Sequence, residues 1–339
     1  IVEAPWAGRR RGAVVNPPPL LSVVVICRNQ RERVVACVRS VLGESFISGI
    51  PREILVVDSA STDGTREALA GLPVRWAGIG ESPLLCASLG RRVGTERSVG
   101  EFILFLDGDM ELAEGFVSAA LRILEADREI AGVAGQVMEE DPSAPGTMRD
   151  RYRILEEGEA KRFGGACLFR RDLLAAAGGF DPYIFNREEN ELHSRLRRSG
   201  WTVRQIPVPM AFHRDVPRSP AEKLLREIVP GRNRPLGRAQ AFLRSLAKGN
   251  ALPYIRQEWL FFFSLATDML SASALFFLPH PARWGVMAGL QAVSFLVQAI
   301  AWSPGQYVLN KLAALQFLAG LFLAPRLLRR PLPDVTESW

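Results

Sequence analysis

Glu101-Phe-Ile-Leu-Phe-Leu-Asp107-Gly108-Asp109 decides the fold. The apolar run 102–106 has the length and texture of a strand buried on both faces, as in a parallel sheet. It ends in two carboxylates one residue apart. The C-terminal end of such a strand opens onto the crevice where open α/β sheets hold ligands. Neighbouring carboxylates there repel each other unless something positive joins them. A divalent cation carrying a nucleotide diphosphate meets that need. Taken alone, an acidic turn closing a strand explains the same residues.

The flanking sequence repeats the pattern. Leu20-Leu-Ser-Val-Val-Val-Ile-Cys27 and Glu53-Ile-Leu-Val-Val-Asp58 read as two more buried strands, the second also ending in a carboxylate. Between them Val34, Val35, Val38, Val41 and Leu42 fall at helical spacing over residues 30–43. Asp63-Gly64-Thr65 opens a helix through about residue 70, with Thr62 or Asp63 as its cap. A short strand over 74–77 and a helix over 86–98 complete this half. Strands alternating with helices predict an α/β fold with a parallel, doubly wound sheet. Further on, 131–138 and 201–206 read as strands and 163–169 as a Gly-containing strand or loop. Residues 171–177 and 188–199 read as helices, stopped by Gly178-Gly179 and Gly200.

Of 339 residues, 48% are hydrophobic and 23% charged, with a net charge of +6. That combination predicts a soluble part joined to a membrane part. The positive charge suits an anionic membrane surface; no nucleic-acid-binding signature accompanies it, so no nucleic acid is expected as partner. Cys27, Cys37, Cys86 and Cys167 are scattered without a C-x-x-C pair, which predicts reduced, mostly buried thiols. Arg9-Arg10-Arg11 imitates the start of a signal peptide, but Pro17-Pro18-Pro19 interrupts it and the following apolar run is too short. A flexible lead-in over residues 1–19 is expected instead.

From Trp259 the composition changes. Residues 259–279 are apolar apart from Asp268, 284–302 carry two glutamines, and 307–324 carry Lys311. Each approaches the ~20 residues that cross a bilayer. Arg326, Arg329 and Arg330 belong on the cytoplasmic side by the positive-inside tendency. Two full spans are therefore expected, with one segment, the Asp268 stretch being a candidate, in the interface or re-entering. Residues 231–257 carry Arg232, Arg234, Arg238, Arg244, Lys248 and Arg256 among Leu and Phe, the pattern of an amphipathic helix on anionic headgroups. A solvated basic helix is the plain alternative. The expected division is 1–19 lead-in, 20–230 catalytic domain, 231–257 juxtamembrane segment, 258–328 membrane helices and 329–339 tail.

Four motifs in order give residues 20–215 a family resemblance. They are Ser22-Val-Val-Val-Ile-Cys-Arg-Asn29; Glu53-Ile-Leu-Val-Val-Asp58-Ser-Ala-Ser-Thr-Asp63-Gly64-Thr65; Arg91-Arg92-Val93-Gly94 running to Phe105-Leu106-Asp107-Gly108-Asp109; and Gly178-Gly179-Phe180-Asp181 with Glu188-Glu189-Asn190-Glu191-Leu192 and Arg195-Leu196-Arg197. The chain resembles family 2 glycosyltransferases of the GT-A fold, and its hydrophobic end resembles membrane-associated bacterial exopolysaccharide enzymes. The resemblance implies a nucleotide-diphosphate sugar donor and a Mg²⁺ or Mn²⁺ cofactor. It implies a lipid-linked or polysaccharide acceptor, contact with membrane lipids, and a bacterial inner membrane with the catalytic domain cytoplasmic.

The resemblance also implies roles. Asp58 and Asn29 would lie at the nucleotide, Asp58 bonding base or ribose. Asp63 would lie near the base or cap its helix. Arg91 would approach the nucleotide or diphosphate. Asp107 and Asp109 would hold the metal, and His213 would reach metal or diphosphate or serve the structure alone. Glu189, with Glu188 as its neighbouring alternative, would be the general base of an inverting reaction. Three residues depart from the family pattern: Cys27, Arg92 and Glu189, the last standing where an Asp is usual. A polyprenyl-phosphate glycosyltransferase and a non-catalytic sugar-nucleotide-binding partner are the alternatives.

Overall fold

The computed structural model describes residues 20–141, 144, 146–161, 163–213, 236–301 and 304–338. The expected lead-in and the run Gly231-Arg232-Asn233-Arg234 lie outside the described residues. The chain forms two compact units. The first holds residues up to Tyr183, then 195–213 and the stretch from Pro331; the second holds Ile184–Ser194 and 236–330.

The first unit is built on one sheet. Strand β1 (Leu21–Cys27) lies between β2 (Arg52–Ser59) and β4 (Phe102–Asp107), parallel to both, and β3 (Arg75–Ile79) adds to β2 in parallel. Continuous β-branched and aromatic runs suit these strands because helices cover both faces. The register sets Cys27 opposite Asp58 and Ile26 opposite Asp107, so both carboxylates emerge at one sheet edge. Beyond β4 the sheet becomes mixed. Strand β9 (Cys167–Arg170) runs antiparallel between β4 and β6 (Ile130–Glu140), and β10 (Thr202–His213) is parallel to β6. Short β5 (Met110–Leu112) pairs antiparallel with β10, and β7 (Met148–Asp150) and β8 (Gly158–Glu159) pair with β6 and β10. At the other edge β11 (Val335–Ser338) pairs antiparallel with β3.

Helices α1 (Arg31–Gly43), α2 (Ser45–Ser48), α3 (Thr65–Ala68), α4 (Ala87–Arg97), α5 (Phe116–Ala126), α6 (Arg171–Ala176) and α7 (Glu188–Arg198) follow the strands. α1 buries Val34, Cys37, Val38 and Val41, one stripe at helical spacing. Buried Glu44 serves two elements: its carboxylate accepts from Ile47 N (2.6 Å) at the start of α2 and from Gly115 N (3.1 Å) before α5.

The core leaves no room at Gly135. A methyl there would lie 2.6 Å from Val208 O, 2.7 Å from Met210 Cβ and 2.8 Å from Phe116 Cε2. Gly135→Ala is expected to destabilise the first unit by about 2–3 kcal/mol through overpacking. Thermal denaturation checks this against Gly43→Ala, whose methyl meets nothing within 4 Å.

The second unit contains α8 (Gly237–Ala247), α9 (Ala251–Gln257), α10 (Trp259–Phe277), α11 (Ala282–Ala301) and α12 (Pro304–Leu327). The last three are long and apolar enough to cross a membrane. Phe242, Phe261, Phe262 and Phe317 join α8, α10 and α12 edge to face, with neighbouring ring centroids 5.2–5.8 Å apart. Polar side chains inside this apolar unit bond one another, as burial requires. Thr267 donates to Ser294 (3.1 Å), Gln291 to Ser271 (2.8 Å), Tyr307 to Gln291 (2.9 Å) and Asn310 to Gln298 (2.9 Å), while Lys311 pairs with Asp268.

Three elements differ from the sequence-based expectation. The helix expected over 63–70 is the single turn α3. The strand expected over 201–206 continues through two prolines to His213, because register shifts around Pro209 absorb the missing N–H donors. Within the tail, where no element was expected, residues 335–338 form β11.

Candidate active site

The carboxyl edge of β1, β2 and β4 gathers the first group. Asp58, at the end of β2, is buried and accepts from Ser61 N (3.0 Å) and Ser61 Oγ (2.5 Å), folding the chain into a tight turn. Asn29, just past β1, is left-handed at φ 51°, which its short polar side chain tolerates. It stitches the two loops: its N–H donates to Ser61 Oγ (2.8 Å) and its Oδ1 accepts from Thr62 N (2.9 Å). Asp63 accepts from Thr65 N (3.0 Å), the Thr65 hydroxyl and Arg31 N (3.1 Å), so it caps the starts of both α3 and α1. The Thr65 hydroxyl, aided by those N–H groups, outweighs a slight burial penalty and holds the Asp63 carboxyl below its ordinary range.

The second group forms at the end of β4. Gly108 N donates to Ile26 O (2.9 Å), drawing the turn against β1. A Cβ at Gly108 would lie 2.6 Å from Gln30 Oε1 and 3.0 Å from Cys27 Cβ, so a larger residue would have to push both aside. Arg91, from α4, is 2% exposed and donates to Asp107 Oδ1 at 2.8 Å. Its guanidinium also lies 5.5 Å from the Phe180 ring centroid. Asp107 is itself one-third exposed, so water screens this pair.

Asp109 meets His213 through the sheet. β5 and β10 pair with Met110 opposite His213, which brings residues 104 positions apart in sequence to Nε2–Oδ2 3.6 Å. Burial alone would raise the Asp109 carboxyl. The hydrogen bond and charge of His213, the residue's own N–H and Arg33 together outweigh it and hold the group below the usual carboxylate range. Asp109 is thus a charged acceptor beside an imidazole, able to hold a hard cation. Beneath the site, burial first and the carboxylates of Asp107 and Asp109 second push the Cys37 thiol up; burial likewise raises Cys27. Neither thiol is a nucleophile in this state.

The acidic cluster of α7 begins in the second unit. Glu188 and Glu191 are buried and Glu189 is half-buried. Glu191 is ion-paired with Lys248 at 3.1 Å, and Asn190 donates to Glu258. Glu258 also faces Arg187 (3.5 Å) and Arg238 (3.4 Å). Three carboxylates in a first helical turn suit the helix dipole. Glu258 escaped the sequence reading because a lone acid beside an apolar stretch carries no periodic signal. Gly165 escaped too: a Cβ there would stand 2.0 Å from Arg91 Nη2 and 3.0 Å from Asp107 Oδ2. The Gly164-Gly165 pair was the available hint.

Arg92, the departure from the family pattern, is ion-paired with Glu96 at 2.6 Å and donates to Gly178 O at 2.9 Å. Gly178 and Gly179 are both left-handed, at φ 86° and 63°, and Arg195 donates to Ala177 O and to Gly179 O (2.7 Å). The arginine at position 92 therefore braces the loop after α6.

The comparisons agree with this architecture. The profile of glycosyl transferase family 2 matches residues 22–178. A glycosyltransferase of Haloferax volcanii, AglE, is 23% identical over 196 residues, covering 55% of this chain and 64% of its own length. The UDP-forming cellulose synthase catalytic subunit of Komagataeibacter sucrofermentans is 26% identical over 206 residues, covering 54% of this chain and 26% of that one. The chain thus spans less than two-thirds of either relative. Among solved structures, the mannosyltransferase PcManGT of Pyrobaculum calidifontis, in complex with GDP-Man and Mn²⁺, aligns with TM-score 0.58 at 19% identity over 89% of this chain and 88% of its own. TarS 1–349 of S. aureus aligns with TM-score 0.51 at 13% identity, over 91% of each. These likenesses give the fold as GT-A, an α/β domain followed by C-terminal helices. The matched profile, with the motifs and the fold, gives residues 22–178 as a glycosyl transferase family 2 domain.

Proposed function

We propose that the chain transfers a sugar, with inversion, from a nucleotide-diphosphate sugar to a hydroxyl of a lipid-linked or polysaccharide acceptor at a membrane. The observation that carries the reading is the strand pairing that sets His213 against Asp109, two residues beyond Asp107 of the Arg91–Asp107 pair. Asp58 and Asn29, at the neighbouring strand ends, would receive the nucleoside, with Asp63 holding their loop. Arg91 keeps Asp107 oriented.

Among the described residues no three His, Cys, Asp or Glu side chains are grouped to hold a metal by themselves. A Mg²⁺ or Mn²⁺ ion that keeps several waters and arrives on a diphosphate needs only one or two carboxylates. Asp109, His213 and Asp107 fit that case. A cation held there would neutralise charge on the departing nucleoside diphosphate.

Glu189 would take the proton of the acceptor hydroxyl as its oxygen bonds to the anomeric carbon and the bond to the diphosphate breaks. Glu188 is its neighbouring alternative. Three apolar helices and the arginine-rich flanks at Arg244, Arg256, Arg329 and Arg330 support a membrane site. On this reading it is the bacterial inner membrane, with the catalytic domain in the cytoplasm and the domain limits those expected from sequence.

The test is transfer of radiolabelled sugar from UDP-, GDP- and dTDP-linked donors into bacterial lipid and polysaccharide extracts by membrane-embedded protein. Incorporation from one donor, lost in Glu189→Gln, is expected. Incorporation only into polyprenyl phosphate, unaffected by Glu189→Gln, would replace this reading with the lipid-phosphate one, whose anionic acceptor needs no base. Nucleotide binding without incorporation would favour a non-catalytic partner. The same assay checks the Arg91 bracket: Gly165→Ala should weaken nucleotide binding about 10–100-fold by displacing Arg91 from Asp107, with the circular dichroism spectrum unchanged.

A further inference from the structure

Glu189 lies in a segment that the helical unit has built into itself. Residues Ile184–Ser194 belong to the second unit, although their neighbours in sequence on either side belong to the first. The segment is tied to that unit along its length. Ile184 packs with Ala241 of α8 and Tyr254 of α9. Phe185 N donates to Gln240 Oε1 of α8 (3.2 Å). A methyl at Gly237, which opens α8, would lie 2.5 Å from Asn186 Cβ, so helix and segment touch there. Beyond Glu189, Lys248 is ion-paired with Glu191 (3.1 Å) and Asn250 Nδ2 donates to Ser194 Oγ (2.7 Å).

The turn that leads into α7 is unfavourable by itself. Arg187 is left-handed at φ 69°, a region that long side chains rarely adopt. Its N–H donates to Asn186 Oδ1 (2.9 Å) and its carbonyl accepts from Glu191 N (3.0 Å), the first bond of the helix. Arg187 therefore sets where the first turn of α7 begins, and Glu189 is the second residue of that turn. Backbone strain of this kind persists only where the surroundings hold the residue, and it gathers at functional sites.

The group that holds it is Glu258. Its Oε1 faces Arg187 Nη1 (3.5 Å) and accepts from Asn190 Nδ2, and its Oε2 faces Arg238 Nε (3.4 Å). One carboxylate thus grips the residue two before Glu189 and the residue just after it. Arg238 is itself seated 4.5 Å from the Phe261 ring centroid. Glu258 is buried, so these contacts are little weakened by water. With both oxygens engaged, Glu258 is not the proton acceptor.

We propose that Glu258 is a positioning residue for the general base. It holds Arg187 in its left-handed turn and Asn190 beside it, and so fixes the first turn of α7, with Glu189, on α8 and α10. Glu258 immediately precedes α10, a helix long and apolar enough to cross a membrane, so the place of the base is set by the root of that helix. The proposal rests on the reading of Glu189 as the base.

The test is radiolabelled transfer from UDP-, GDP- and dTDP-linked donors into excess bacterial lipid and polysaccharide extract by the membrane-embedded full chain. Glu258→Gln, Asn190→Ala, Glu189→Gln and the double variant Glu189→Gln/Glu258→Gln are compared with wild type. Glu258→Gln and Asn190→Ala should each lower kcat about 10-fold, the cost of a base displaced by a fraction of an ångström, with donor KM unchanged. Asn190→Ala leaves no buried charge without a partner, so its thermal denaturation should match wild type. In the Glu189→Gln background, Glu258→Gln should change the residual kcat less than about 2-fold, because a residue that acts through the base has nothing left to position. Wild-type kcat in both Glu258→Gln and Asn190→Ala would overturn the proposal. So would an equal loss from Glu258→Gln with and without Glu189, which is what a purely structural role gives. Full activity in Glu189→Gln would remove the base reading, and the proposal with it.

Discussion

Asp109→Ala is expected to lower kcat/KM for donor turnover about 10³-fold, some 4 kcal/mol of transition-state stabilisation. The residue sits at the end of the decisive strand–turn, with His213 Nε2 3.6 Å from its Oδ2. Its carboxyl is held charged by His213 and Arg33 against the cost of burial. A charged oxygen beside a departing diphosphate can act only through a cation, since directly it would repel the leaving group. The variant should therefore behave like wild-type protein in EDTA, and metal should no longer stimulate it. His213→Ala should cost less, about 10–100-fold, because a supporting ligand rather than the charge is lost. Thermal stability should stay within about 1 kcal/mol in both, as neither side chain belongs to the apolar core. Initial rates with and without Mn²⁺ check each point.

Glu189→Gln should remove about 10²–10⁴-fold in kcat while leaving donor affinity unchanged. The choice among the acids of α7 follows from what surrounds each. Glu191 is fully buried and ion-paired with Lys248, and Glu188 is 5% exposed. Glu189 alone of the three is half-exposed to incoming groups. Glutamine preserves size and helix-start geometry, so a fall in kcat at constant donor KM would report loss of the proton acceptor. An equal fall in Glu188→Gln with full activity in Glu189→Gln would move the role one residue earlier. Separate measurement of kcat and KM, with donor saturating, distinguishes the cases.

Much of the first unit was legible because its strands are unbroken apolar runs. β1, β2 and β4 could be placed almost to the residue, together with the carboxylates Asp58 and Asp107 at the ends of β2 and β4. Strand direction beyond β4 was not legible, because a short segment such as Cys167–Arg170 carries no signal for antiparallel insertion. β10 was cut short at Pro207 since a proline removes a ladder donor; only the register shifts against β6 reveal how the strand continues to His213. The candidate site divides in the same way. The residue types of Asp107, Asp109 and Arg91 could be read, but the pairing of Arg91 with Asp107 and of His213 with Asp109 depends on long-range register. Asp63 was open between nucleotide and cap, and its bonds to Arg31 N and Thr65 N could not be read from sequence. The apolar helices were legible by length alone. Their antiparallel pairing was not, because Phe261 and Phe317 become partners only once the chain has turned back.

The most direct test of the account is release of nucleoside diphosphate by the membrane-embedded chain from its preferred donor, in Mn²⁺ and again in EDTA. The account predicts turnover in Mn²⁺ that falls about 10³-fold in EDTA and is restored by added metal. Equal release under both conditions would contradict a cation held by Asp109 and His213, and with it the assignment of this edge as the donor site.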